Sequence, residues 1–284
     1  MSDSRIAGGS CALLVVSCDG YSDLWAPFFT LLRRHWPDCP FPVYLGSGRL
    51  DGGQVGVTTL FSEGGRDWSC CVRDYLGQLP HEHVLLMLDD FFLRRTVPTV
   101  KVLECLESAI AHNATMVRLI PRPGPTDRLS STTLIGECAI GLPYRVSTQA
   151  AIWNRSKLRE LLCLGESIWE FEHNSNQRIS IYPHGFYAVW RPVLPYQGTF
   201  AHHVLEKGKW LPHEKRIFGR QNIGCDFAVR ITLPYHQVLI YHFVQTLDRA
   251  LDVLPWRTKA SLKQRIKYLL APILRKHFDR LAGR

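Results

Sequence analysis

The chain has 284 residues, 46% hydrophobic and 21% charged, with a formal net charge of +9. That balance fits a globular protein with a substantial core and excludes a disordered or fibrous chain. No apolar run approaches the ~18 residues of a spanning helix, and Ala12 to Val16 is too short for a secretory leader, so a cytoplasmic protein is expected.

The chain opens with "CALLVVS" (11–17), a continuous apolar, β-branched run that suits a strand covered on both faces. After the loop "CDGY", the stretch "SDLWAPFFTLLRRHW" has helical spacing at Leu24, Phe28, Leu31, Leu32 and His35. Further strands are expected at 42–46 and 57–61, a helix over 67–79 with Asp67 as N-cap, and the strongest strand at 83–88. A helix over 97–113 and a strand over 115–120 follow, then the loop "PRPGPTD". This alternation predicts an α/β fold, a mainly parallel sheet with helices on both faces. Beyond residue 125 the pattern weakens: "YRVSTQAAIW" reads as strand and "NRSKLRELLCLG" as helix, and 175–245 is rich in Pro, His and aromatics.

Nine cysteines, with no paired CxxC motifs, read as reduced, mostly buried small hydrophobes. The charge is uneven. Residues 257–284 hold nine Lys or Arg and one acid, or +8 of the total +9, which leaves +1 for residues 1–256. A nucleic-acid-binding body is therefore excluded. The tail itself has the pattern of a basic amphipathic helix, kinked at Pro272. It either lies on an anionic membrane surface, with Trp256 and Tyr268 at headgroup level, or packs its apolar side on the main body.

The chemistry concentrates in "VLLMLDDFF" (84–92). Asp89 and Asp90 leave the most apolar strand at its carboxyl end, where open α/β sheets bind ligands, and Phe91 and Phe92 deny them solvent. Adjacent buried carboxylates repel and raise each other's pKa, a conflict that a divalent ion with oxygen ligands, Mg²⁺ or Mn²⁺, would relieve. The plain alternative is one capping aspartate and one solvated one. A second feature is "SIWEFE" (167–172). If extended, Glu170 and Glu172 point the same way. If helical, they diverge, and Ser167 with Glu170 forms a capping box.

Taken together, "VVSCDGYSDLW", "LLMLDDFFL" and "SIWEFE" resemble bacterial glycosyltransferases of the GT-A fold that build surface polysaccharide or lipopolysaccharide, over roughly residues 11–215. The acidic motif of that family is Asp-x-Asp, whereas this chain reads Leu88-Asp89-Asp90. The resemblance implies Asp90 as metal ligand and Asp89 as ligand or donor contact, with Mn²⁺ or Mg²⁺ as cofactor. It places Asp19 and Tyr21 at the nucleotide. Gln149, on an expected strand, is a candidate sugar contact, and Glu172 or Glu170 the general base of an inverting transfer. His173, His184, His202 and His203 are further polar candidates, and Lys207, Lys209 and Trp210 either close over the diphosphate or form a solvated turn.

The expected organisation is a catalytic domain over 1–250, with a nucleotide-sugar half (about 1–125) and an acceptor half (about 126–250), and a helical tail over 251–284. The expected partners are a nucleotide-diphosphate sugar, a glycan or lipid-linked acceptor and an anionic membrane surface at the inner face of the plasma membrane. A nucleotidyltransferase is the enzymatic rival, although "SCDGYSD" lacks its glycine-rich loop with a following Lys or Arg. An inactive carbohydrate-binding or scaffold protein is the rival of another class.

Overall fold

Six consecutive apolar, β-branched-rich residues suit a strand covered on both faces, and Cys11–Val16 forms that strand, β1, with every side chain buried. In the computed structural model, which describes residues 10–63, 67–129, 134–179, 184–196, 198, 202–239, 258 and 262, β1 lies parallel between β2 (Val43–Ser47) and β4 (His83–Leu88). Next to β2 lies β3 (Val57–Phe61), also parallel. The sheet continues with β5 (Met116–Arg118), β6 (Asp127–Arg128), β7 (Ile135–Glu137), β8 (Ala151–Asn154) and β9 (Phe186–Val189). Its nine strands run in the order β3-β2-β1-β4-β8-β5-β9-β7-β6. Antiparallel pairing of β8 with β4 and β5, and of β7 with β9 and β6, leaves only those two strands against the common direction. The expected α/β architecture, a mostly parallel sheet flanked by helices, is thus the observed one.

A 3-10 turn (Asp19–Leu24) leads into α1 (Trp25–His35); α2 (Trp68–Gln78) and α3 (Thr99–Ala111) follow the next strands. The period-2 alternation of strand side chains sorts the core. Leu13, Val15, Leu85 and Met87 pack with Phe28, Leu31 and Leu32 of α1 and Val102, Cys105 and Leu106 of α3. Leu14, Val16, Val84 and Leu86 are buried on the other face. There α2 runs against β2 and β3, and α4 (Arg155–Leu161) against β8. Capping fixes two of these helices: Asp67 accepts from the Cys70 amide at 2.9 Å, and Asn154 from the Lys157 amide at 3.2 Å. None of the nine cysteines is in a disulfide.

The irregular half departs from expectation in one place. Of "YRVSTQAAIW" only the last three residues join the sheet, as the start of β8 (Ala151–Asn154). The preceding residues satisfy their backbone through α5 (Ile168–Arg178) instead: Asn176 bonds both the amide and the carbonyl of Val146, and Glu172 takes the Thr148 amide. Of the two alternatives for "SIWEFE", the helical one is observed: the segment opens α5 and is not extended. Ser167 and Glu170 close a reciprocal capping box, and this local satisfaction of orphan amides outweighs the apolar-acidic alternation.

The chain falls into two compact units, Met1–Leu233 and Pro234–Arg284. In the second, residues 235–239 are helical, as are Thr258 and Leu262, and the rest of the expected tail helix lies outside the described residues. No helix among the described residues is long and apolar enough to cross a membrane.

A close contact on β2 is testable. A Cβ at Gly46 would meet the Tyr75 ring at 2.4 to 2.9 Å, and that ring is buried with its hydroxyl on the Ser47 carbonyl at 3.0 Å. Gly46→Ala is expected to destabilise the fold by about 1–3 kcal/mol, seen as a lower urea midpoint with an unchanged slope.

Candidate functional site

Seven of the nine strands end at one edge of the sheet, the edge where open α/β sheets bind ligands. Register builds the site there. Val16 of β1 is paired with Leu88 of β4, so Ser17 and Asp89 emerge side by side. Leu86 is paired with Ala151, so Gln149 and Thr148, which precede β8, run beside the chain leaving β4.

Asp89 is 6% exposed. Its Oδ2 accepts a hydrogen bond from Ser17 Oγ, which in turn accepts from Trp25 Nε1 at 2.7 Å. Burial, and then the neighbouring Asp90, push the Asp89 pKa well above the usual carboxylate range, only partly offset by Ser17 and Arg230. Asp90 is raised by burial to about 6, with His203 pulling the other way. The Asp90 carbonyl accepts from the Val204 amide at 3.0 Å, while its Oδ1 is buried with no hydrogen-bond partner. Both carboxyls thus hold their protons more tightly than an ordinary carboxylate, the expected response of acids withdrawn from water.

Asp19 turns to the loop after β2. It accepts from Ser47 Oγ and the amides of Gly48, Arg49 and Leu50 at 2.9 to 3.3 Å. Burial works to raise its pKa, and these bonds outweigh it and leave the carboxyl below its ordinary value. Tyr21 lies half-buried under the guanidinium of Arg230, 4.4 Å from the ring centroid. Arg230 also grips Asp23 through two nitrogens at 2.7 and 2.5 Å and donates to the Gly20 carbonyl at 2.6 Å. Sequence reasoning missed Arg230. Asp23 and Arg230 are 207 residues apart, and no motif spacing links them.

Gln149 is held by Tyr196, whose hydroxyl donates to Oε1 at 3.1 Å and accepts from the Ala150 amide at 3.2 Å. The Tyr196 ring stacks on Phe91 at 4.7 Å. Both expected base candidates lie on α5 and diverge. Glu172 faces the 146–149 segment, accepting from the Thr148 amide and hydroxyl at 2.6 and 2.7 Å. Glu170 is exposed and engaged with Ser167.

Lys207 and Gly208, both at positive φ, form the turn between β10 (Leu205–Glu206) and β11 (Lys209–Trp210). Trp210 belongs to the core, against Phe92 and Phe227. Burial opposes charging of His203, but Glu206 at 3.1 Å, together with Asp90, raises its pKa above the ordinary histidine value. His202 packs edge-on to Tyr196. His184 pairs with Glu137 at 3.3 Å, and His173 is exposed. A separate hollow of about 590 Å³ between β3, α2 and Arg159 is lined by none of these residues.

Does this donor set fit a divalent ion? Asp90 Oδ1, a buried acceptor without a partner, fits one. Among the described residues no group of three or more His, Cys, Asp and Glu converges as a metal cage. The chain thus offers two carboxylates, the partial shell that Mg²⁺ commonly completes with water and substrate phosphates.

No family model matches the sequence, and no curated protein does. Solved structures similar to this chain include the bifunctional IspDF from Campylobacter jejuni, at 13% identity over 60% of this chain and 47% of that one, with a TM-score of 0.36. The 2-C-methyl-D-erythritol 4-phosphate cytidylyltransferase from Thermus thermophilus is 14% identical over 72% of this chain and 95% of that one, TM-score 0.39. The apo-form glycosyltransferase GlyE of Streptococcus pneumoniae TIGR4 is 10% identical over 84% of this chain and 64% of that one, TM-score 0.39. This chain spans less than two thirds of the length of IspDF and of GlyE. Likenesses of this size assign neither family nor activity, so function is argued from the site.

The acidic pair makes a pH-dependent stability prediction. Asp90 binds its proton more tightly folded than unfolded, so stability rises as pH falls from about 6 toward the ordinary carboxylate range, and the penalty is fully present above about 6. Asp90→Asn without metal is therefore expected to be more stable than the parent by on the order of 1–3 kcal/mol at neutral pH. Denaturant titrations across pH should show that gain vanishing below the ordinary carboxylate range.

Proposed function

We propose that this chain is a glycosyltransferase with a GT-A-like fold, moving a sugar from a nucleotide-diphosphate donor to a hydroxyl of a glycan or lipid-linked acceptor. The observation that carries the reading is the Asp89/Asp90 pair at the carboxyl edge of the sheet, Asp89 buried and Asp90 half-buried, with the buried Oδ1 of Asp90 unpartnered. Asp90 and Asp89 would hold Mn²⁺ or Mg²⁺, which when bound offsets the charge of the departing nucleoside diphosphate.

The chain's own residues take the other roles. Tyr21 and Arg230 line the donor side, a ring and a cation in contact, and Asp19 acts through the 47–50 loop that it organises. Gln149, oriented by Tyr196, offers its amide to a sugar hydroxyl. Glu172 takes the proton of the attacking acceptor hydroxyl, giving inversion, and Glu170 serves as the cap of its helix. The basic tail, residues 257–284, brings the enzyme to an anionic membrane surface that carries lipid-linked acceptors.

Incubation with a panel of nucleotide sugars, with and without Mn²⁺, should release free nucleoside diphosphate. Pyrophosphate release from a nucleoside triphosphate and a sugar phosphate would replace this reading with a nucleotidyltransferase. Asp90→Ala should abolish turnover, and the stabilisation by Mn²⁺ plus nucleotide should disappear with it. Glu172→Gln should lower kcat by about 10²–10⁴-fold, whereas Glu170→Gln should affect stability and leave turnover near that of the parent. Truncation after Val253 is expected to remove binding to anionic vesicles; unchanged binding rules out the membrane role.

A further inference from the structure

Ser17 stands where β1 ends, next to the chain that delivers Asp89. Its hydroxyl oxygen is 2.7 Å from Trp25 Nε1 and hydrogen-bonded to Asp89 Oδ2. For the ionised Asp89 that a cation would bind, chemistry fixes the direction of both bonds. An indole N–H only donates, and a serine hydroxyl has one proton and two lone pairs. Ser17 therefore accepts from Trp25, and its single proton goes to Asp89 Oδ2. The competing acceptor in reach, the Cys18 carbonyl, is 3.4 Å away. Trp25 and Asp89 are 4% and 6% exposed, and Ser17 between them is half-buried. Trp25 opens α1, whose Phe28, Leu31 and Leu32 are packed in the core, and the donor's position is set by that packing.

We propose that Trp25 and Ser17 form a direction-locked relay that positions Asp89, engaging Oδ2 as an acceptor and leaving Oδ1 as the oxygen offered to a divalent cation. A terminal carboxylate torsion is broad and roughly two-fold on its own, so a fixed donor on one oxygen decides which oxygen faces outward. Both residues are positioning residues, since neither touches the reacting atoms. The inference rests on the reading of Asp89 and Asp90 as a cation site.

The test is Mn²⁺ titrated into the full chain, with free ion read by electron paramagnetic resonance. Ser17→Ala should weaken Mn²⁺ affinity about 10–100-fold, the usual effect of losing a group that orients a ligand. Ser17→Thr keeps the hydroxyl and should restore most of it, and Trp25→Phe should fall between. A second readout is the indole N–H resonance that Trp25→Phe removes. It should shift in Ser17→Ala and when Mg²⁺ is added to the parent protein, a response that a merely structural serine would not give to Mg²⁺. If Ser17→Ala binds Mn²⁺ as tightly as the parent, the relay is overturned while the cation site stands. If the parent binds no Mn²⁺, the cation site falls and the relay with it.

Discussion

Two adjacent carboxylates at the end of a buried strand are the constraint around which the rest of this structure is arranged. Burial penalises their charge, adjacency adds repulsion, and the pair is poised with its pKa values raised. Each neighbour answers part of that conflict. Ser17 donates to one oxygen, the Arg230 cation acts on Asp89 from the facing segment, and His203 acts on Asp90. Asp90 Oδ1 stays buried with no hydrogen-bond partner. Confining two acids side by side at a sheet edge carries a standing cost in stability, which these neighbours offset only in part.

The segment after residue 202 closes this edge, and it is held there by polar contacts from distant parts of the chain. The Val204 amide bonds Asp90, Arg94 pairs with the fully buried Glu214 and donates to the Tyr196 carbonyl at 3.2 Å, and Arg230 bridges to Asp23. Buried ion pairs of this kind are weak evidence for net stability, because desolvation opposes the attraction. Removing one partner is nonetheless strongly destabilising. Their consequence here is geometric: they fix which stretch of backbone faces the carboxylates, and Trp210, seated against Phe92, anchors it to the core.

The helix α5 shows how a local signal overrode a pattern. Trp-Glu-Phe-Glu alternates as a strand does, but Ser167 and Glu170 satisfy each other's orphan groups at a helix start. The helix turns Glu172 toward residues 146–149 and Glu170 away. Because Thr148 and Val146 then draw their hydrogen bonds from α5 side chains, the segment expected to be strand from 144 onward pairs in the sheet only from Ala151.

What the sequence determined by itself is whatever short-range physics controls. Continuous apolar runs located β1 and β4, helical spacing located α1, α2 and α3, and the carboxyl end of a buried strand marked Asp89 and Asp90 as the candidate site. The capping box was legible too, as one of two alternatives. Tertiary structure decided what depends on contacts between distant residues. Arg230 on Tyr21 and Asp23, Tyr196 on Gln149, Trp25 through Ser17 on Asp89, and Trp210 in the core in place of a solvated turn all join groups that no spacing connects. Hydrophobic periodicity is written residue by residue along the chain, whereas a polar site is assembled across a sheet edge, by register and by returning segments whose partners are known only once the chain has folded.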